Sequence, residues 1–163
     1  MVYYEVEDFV SSYRTFVDSK NYKQLRGNDV PADKCHKIKK VEDLREDYET
    51  LTELGARVQL NEEEVANPCG LVAQFVFSDT FELYSADDQP IAIDDTDIAH
   101  RVDRTSRFQD NENPNIQWLD VTNEHFMVWN QMETQSGVYR LYGRISSKLS
   151  KGSYTIKTNN SWP

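Results

Sequence analysis

The chain has 163 residues, 38% of them hydrophobic and 12% aromatic, with a formal net charge of −10 and a pI of about 4.7. That length suits one domain, 1–163, with a real core. The acidity, with no basic stripe, excludes a nucleic-acid binder and disfavours attraction to anionic lipid headgroups through charge alone. No window of about 18 apolar residues is present to cross a membrane, and the opening MVYYEVEDF lacks the basic and apolar regions of a signal peptide. Both ends fall inside patterned sequence, so the chain reads as a piece of something longer.

In chain order, Val6, Phe9, Val10, Tyr13, Phe16 and Val17 recur at helical spacing and predict an amphipathic helix over 5–19. Arg26-Gly27-Asn28-Asp29 reads as a turn. Cys35 and Cys69 are the two cysteines, and composition leaves two buried thiols, a surface thiol and a bridge all open. A bridge would close a 34-residue loop, stabilise the fold by roughly 4 kcal/mol on the chain-entropy argument, and require an oxidising compartment. Ile38, Val41, Leu44, Tyr48 and Leu51 predict a second, charged helix over 38–54, and Asn61-Glu62-Glu63-Glu64 reads as a solvated acidic run.

From Leu71 the character changes. LVAQFVFSDTFELY is rich in β-branched and aromatic residues, which predicts a strand over 71–84, or two with a bulge near Ser78-Asp79. Further strands are predicted at 91–93, 116–119, 126–130, 138–145 and 154–158. No helical crossovers separate them, so antiparallel pairing is expected. The fold class read from this pattern is α+β: an antiparallel, jelly-roll-like β-sandwich core with helical insertions near the N-terminus.

Chemistry is sparse. His36, His100 and His125 lack metal-ligand spacing, and there is no CxxC, phosphate loop or nucleophile elbow, so the reading is of a non-enzyme with no cofactor and no metal. Asp87, Asp88, Asp94, Asp95 and Asp97 form the densest acidic patch. A solvated loop explains it, while a calcium loop or a hydrolytic carboxylate pair are the functional alternatives. Arg101, Arg104 and Arg107 read as an edge strand or turn that could form a basic rim. Asn159-Asn160-Ser161 is a glycosylation sequon.

Several blocks together resemble the cell division control protein 50 family, also called ligand effect modulator 3. The opening block matches through Tyr3, Tyr4, Phe9, Tyr13, Arg14, Val17, Ser19, Gln24, Leu25 and Gly27. A PCG signature follows at Pro68, Cys69, Gly70, Ala73, Phe77, Asp79, Thr80 and Leu83. Ile98, Ala99, Asp103 and Phe108 match a third block. Phe126 to Trp129 and Leu141-Tyr142-Gly143-Arg144-Ile145 match a fourth, and the stretch from Gly152 to Pro163 a fifth. The resemblance implies the ectodomain of a β-subunit of a type IV P-type ATPase, a phospholipid flippase. Two transmembrane helices would flank it in the full protein, and the partner would be the ATPase catalytic subunit. The subunit would aid ATPase folding, endoplasmic-reticulum exit and lipid transport, in the endoplasmic reticulum, Golgi, endosome or plasma membrane.

The resemblance also implies that Cys35 pairs with Cys69. For partner anchors we look to Trp129, Tyr139, Arg140, Tyr142 and Arg144, since interfaces concentrate their energy in aromatic and arginine residues. Three departures stand out: His100 replaces a tryptophan, NQMETQSG replaces MRTAALP, and Ser78 replaces the asparagine of a sequon, leaving Asn159 as the glycosylation candidate. The cysteine-rich segment that precedes the opening block in the family is not in this sequence. The alternative reading, from another class, is a secreted β-sandwich that binds a glycan or small ligand, with calcium in the 87–97 loop.

Overall fold

The computed structural model describes residues 1–7, 13–45, 49–51, 57–131 and 138–162. Mixed helix and antiparallel sheet make it an α+β fold. The chain opens with β1, Val2–Val6, where the sequence predicted the approach to a helix. Tyr4 and Val6 are buried while Tyr3 and Glu5 face out, the alternation of a half-buried strand. β1 pairs antiparallel with β6, Val138–Gly143, with Glu5 opposite Tyr139 and Tyr4 opposite Arg140. This pairing across the whole chain overrides the local helical spacing of Val6. Helix starts only at α1, Arg14–Val17, and Phe9 and Val10 lie outside the described residues. A second single turn, α2, Tyr22–Leu25, begins where the Asn21 side chain accepts from Lys23 N at 3.0 Å. It stops at Gly27, whose φ of +82° places it in the left-handed region. Gly27 N donates to Gln24 O at 2.8 Å and Asn28 N to Lys23 O at 3.1 Å, so the predicted turn is the helix cap.

The helix predicted over 38–54 is absent from its described part. In its place are a 3₁₀ turn, Val41–Asp43, and the first strand of a hairpin, β2 (Glu49–Leu51) with β3 (Arg57–Gln59). Tyr48 lies outside the described residues. Ile38, Val41 and Leu44 are all buried, and their spacing of three is the 3₁₀ period. The Asp43 carboxylate accepts from Lys39 N at 2.9 Å and Lys40 N at 3.0 Å, closing the turn. Val41 N and Glu42 N donate to Glu64 O and Glu62 O, both at 3.0 Å. The acidic run thus keeps its side chains in water while its backbone stitches this segment down.

The strand predicted over 71–84 divides. Leu71–Gln74 is a helical turn, α3, and Thr80–Ser85 is strand β4. Gly70, at φ +98°, starts α3, and a Cβ there would collide with the carbonyl oxygen of Ser19. β4 pairs with the short β5, Pro90–Ile91, and with β7, Tyr154–Asn159. The predicted strand 116–119 is a 3₁₀ turn, Pro114–Ile116, followed by irregular chain around buried Trp118. The predicted strand 126–130 is α4, Glu124–Trp129. Phe126, Met127, Val128 and Trp129 are all buried, so this continuous apolar run carries no periodicity that could separate strand from helix. Helices therefore spread along the chain instead of gathering near its N-terminus. The described strands form three small sheets, β1–β6, β2–β3 and β5–β4–β7, where the sequence pattern suggested one sandwich.

Among the described residues, two apolar clusters organise the interior. The larger runs from Leu25, Ile38 and Val41 through Cys35 and Cys69 to Trp118, Val121 and Phe126. Cys35 and Cys69 are joined there by a disulfide. The smaller is aromatic, with Tyr4, Val72 and Trp129 at its centre and Phe77, Phe81, Tyr142 and Trp162 packed around them. α4 feeds both, Phe126 to Val128 to the first and Trp129 to the second.

Candidate interaction site

The residues matched by the opening block and the PCG signature meet in a buried polar hub. The Ser19 hydroxyl donates to His36 O at 2.7 Å and accepts from His36 N and Leu71 N, both at 3.0 Å. Gln24 is fully buried. Its Nε2 donates to Val30 O at 3.1 Å and Ala66 O at 3.2 Å, and its Oε1 accepts from Cys69 N at 2.9 Å. Trp118 Nε1 donates to Pro68 O at 2.7 Å. Ser19 and Gln24 thus each satisfy three backbone groups, and Trp118 one. The hub fixes the loops joined by the disulfide, and Ile98 and Ala99 of a neighbouring surface pack into the same cluster.

That surface is built around the loop 94–99. Glu124, in the first turn of α4, accepts from Asp97 N at 2.9 Å and Ala99 N at 2.8 Å. Arg144, just past β6, exchanges backbone hydrogen bonds with Asp94 at 2.7 and 2.8 Å. Its guanidinium donates to Thr96 O at 3.2 Å and Asp97 O at 2.7 Å. Asp94 accepts from the Thr96 hydroxyl and N–H, which hold its carboxyl below the usual range, with Arg144 adding attraction. Arg104 pairs with Asp97, and His125 Nε2 lies 3.2 Å from Asp95. The outcome is an acidic loop pinned by Glu124 and Arg144 and paired with Arg104 and His125.

The predicted anchors divide by burial. Trp129 is 4% exposed, and its Nε1 donates to Val72 O at 3.0 Å. Arg140 is 3% exposed, and its guanidinium donates to the carbonyls of Tyr139 and Gln131. Both are interior groups, which sets them apart from the other three expected anchors. Tyr142 is half-buried, accepting from Phe81 N at 3.1 Å, with its ring 4.8 Å from those of Phe81 and His125. Tyr139 is 56% exposed beside Glu5, and donating to that carboxylate pushes its phenol up. Tyr3, also exposed, joins it on the outer face of the β1–β6 pair. Arg144 completes the set at the rim.

The acidic patch does not converge. Asp87 and Asp88 belong to the β4–β5 turn, with Asp88 facing Lys157 at 3.9 Å, while Asp94, Asp95 and Asp97 each have their own partners. Among the described residues no group of three or more His, Cys, Asp or Glu is placed to hold a metal ion. Arg101, Arg104 and Arg107 lie on a helical turn, not an edge strand. Arg104 and Arg107 are taken by Asp97 and Asp103, and Arg101 stays exposed. Asn159 is exposed at the end of β7, opposite Thr80, and Ser161 Oγ donates to Ser78 O at 2.6 Å. Sequence reasoning missed Glu124. The Asn123-Glu124 start ahead of an apolar run is a helix N-terminus signal that could have found it. No helix among the described residues is long and apolar enough to cross a membrane.

The chain is similar to known proteins along its length. "ALA-interacting subunit 3" of Arabidopsis thaliana is 26% identical over 176 residues, covering 99% of this chain and 45% of that protein. "Putative ALA-interacting subunit 4" of the same plant is 29% identical over 170 residues, covering 96% of this chain and 45% of its own length. The chain therefore spans less than half the length of these relatives. The model of the LEM3 (ligand-effect modulator 3) family / CDC50 family matches residues 1–163. On that match from end to end, the chain belongs to the LEM3 / CDC50 family.

Proposed function

We propose that the chain is the ectodomain portion of a non-catalytic accessory subunit that binds a type IV P-type ATPase and supports phospholipid transport. The family match along the entire chain carries this reading, and the relatives' names, which make them interacting subunits, support it. In the full-length protein, transmembrane helices would flank 1–163 and hold it on the lumenal or extracellular side. The Cys35–Cys69 bridge fits that side, because disulfides persist in oxidising compartments. The outer face of β1–β6, with exposed Tyr3 and Tyr139, and half-buried Arg144 at its rim supply the aromatic and arginine groups that favour a partner. Trp129, Arg140 and Tyr142 would act by fixing that face. Folding of the ATPase and its exit from the endoplasmic reticulum follow as the subunit's tasks.

The test is affinity purification of the full-length protein from its native membranes. A P-type ATPase should co-purify, and Tyr139→Ala should weaken its recovery; recovery of no such ATPase overturns the reading. We further propose a glycan at Asn159. It would project beside Ser78, where the family resemblance puts the asparagine of another sequon. Glycosidase treatment should raise the mobility of secreted protein, and Asn159→Gln should abolish the change.

A further inference from the structure

Lys20 is in an electrostatic position that nothing above explains. It is 8% exposed, and its ammonium makes one hydrogen bond among the described residues, to Asn130 O at 3.3 Å. The Tyr22 ring lies 5.4 Å from it. Among the described residues no carboxylate comes within ion-pair distance, and burial pushes the ammonium below the usual lysine range. A buried cation without a counter-charge costs stability unless something else offsets it. Lys20 does not face packed protein, however. It lines an open cleft of about 450 Å³ together with Arg26, His100 and Arg107. The carboxylate in that cleft, Asp103, is already bonded to Arg107 at 3.1 Å. Lys20 and Arg26 therefore line the cleft beside an Arg107–Asp103 pair that balances itself, in a chain whose net charge is −10.

We propose that this cleft is a binding site for a phosphate-bearing anion. The Lys20 ammonium would meet it at the buried end and the Arg26 and Arg107 guanidiniums at the open end. A volume in the range of small-ligand pockets suits a compact group better than a flat protein surface. The Arg26 fork, the Arg107 fork that shares its charge with Asp103, and a point ammonium match the several oxygens of a phosphate. Phe108 and Met127 give the cleft an apolar wall for the carbon side of a phosphoester. The site stands independently of the subunit reading, since it uses none of the residues assigned to the partner face.

The test titrates the disulfide-bonded chain with sodium phosphate, against sodium chloride at matched ionic strength, by calorimetry and thermal melting. Phosphate should bind saturably and raise the melting temperature. Lys20→Met, which keeps the aliphatic stem, and Arg26→Gln, on an exposed side chain, should each weaken binding about tenfold. Arg26→Gln keeps the test decisive if Lys20→Met fails to fold. Two further probes separate the sources of the oxyanion: a soluble glycerophosphodiester, and vesicles of phosphatidylcholine with or without phosphatidylserine. Tighter binding of the diester or the anionic vesicles identifies a lipid headgroup, and equal binding of inorganic phosphate identifies the free ion; both uphold the site. A phosphate response no different from chloride, or unchanged in Arg26→Gln, overturns it. Binding of an acidic peptide without binding of phosphate also overturns it and assigns the cleft to a protein carboxylate.

Discussion

The two clusters of the interior are held together by different physics. The disulfide-bearing cluster surrounds irregular chain, and its backbone groups depend on Ser19, Gln24 and Trp118 for their hydrogen bonds. Such bonds are directional, and each donor or acceptor left without a partner costs its full desolvation. The aromatic cluster rests on ring contacts, as between Tyr4 and Phe77 at 3.9 Å and Phe81 and Tyr142 at 4.8 Å, beside regular strands that pair their own backbone. Ring packing is non-directional by comparison and loses energy in smaller steps. On this comparison the first cluster is expected to lose stability in large steps when one residue is changed, and the second in smaller ones.

Four measurements would sharpen or break that contrast. The largest effect is expected from replacing Cys35 and Cys69 together by Ala, which should cost about 4 kcal/mol in urea unfolding on the chain-entropy argument. A loss under about 1 kcal/mol would remove the disulfide from the explanation. Gln24→Leu should follow at about 3 kcal/mol, because Cys69 N, Val30 O and Ala66 O lose their partner inside the protein. Tyr142→Phe removes the acceptor of Phe81 N in the aromatic cluster and should cost only about 1 kcal/mol. If it equals Gln24→Leu in the same assay, the proposed difference between clusters fails.

The smallest effect is on acid stability. The backbone N–H groups of Lys40 and Lys39 hold the Asp43 carboxyl below its usual range. Its contribution is therefore complete above the unfolded-state value and is lost as pH falls through the lower folded-state value. Asp43→Asn should flatten the acid side of the curve of urea midpoint against pH, slightly, because the carboxylate is largely in solvent. A curve identical to the parent's would place the turn's stability elsewhere.

Part of the chain's architecture is legible in the sequence. β6 and β7 lie where β-branched and aromatic residues alternate, and the Gly27 turn lies where Gly and Asn interrupt the pattern. The family and the mixed fold class were legible too, because five blocks in a fixed order are a property of sequence alone. What local pattern could not reach was decided by distant pairing. Val2–Val6 became a strand because β6, far along the chain, supplied its partner. Leu71–Gln74 became a helical turn where Gly70 meets Ser19, and Phe126 to Trp129 could serve either structure until two clusters closed around α4. The candidate surface divided in the same way. The residue types that suit an interface can be read from sequence, but tertiary packing alone turned Trp129 and Arg140 inward, left Tyr139 and Arg144 at the surface, and buried Lys20 in a cleft with no carboxylate at ion-pair distance among the described residues. Sequence carries chemistry and local spacing; burial depends on what else the folded chain brings to the same place.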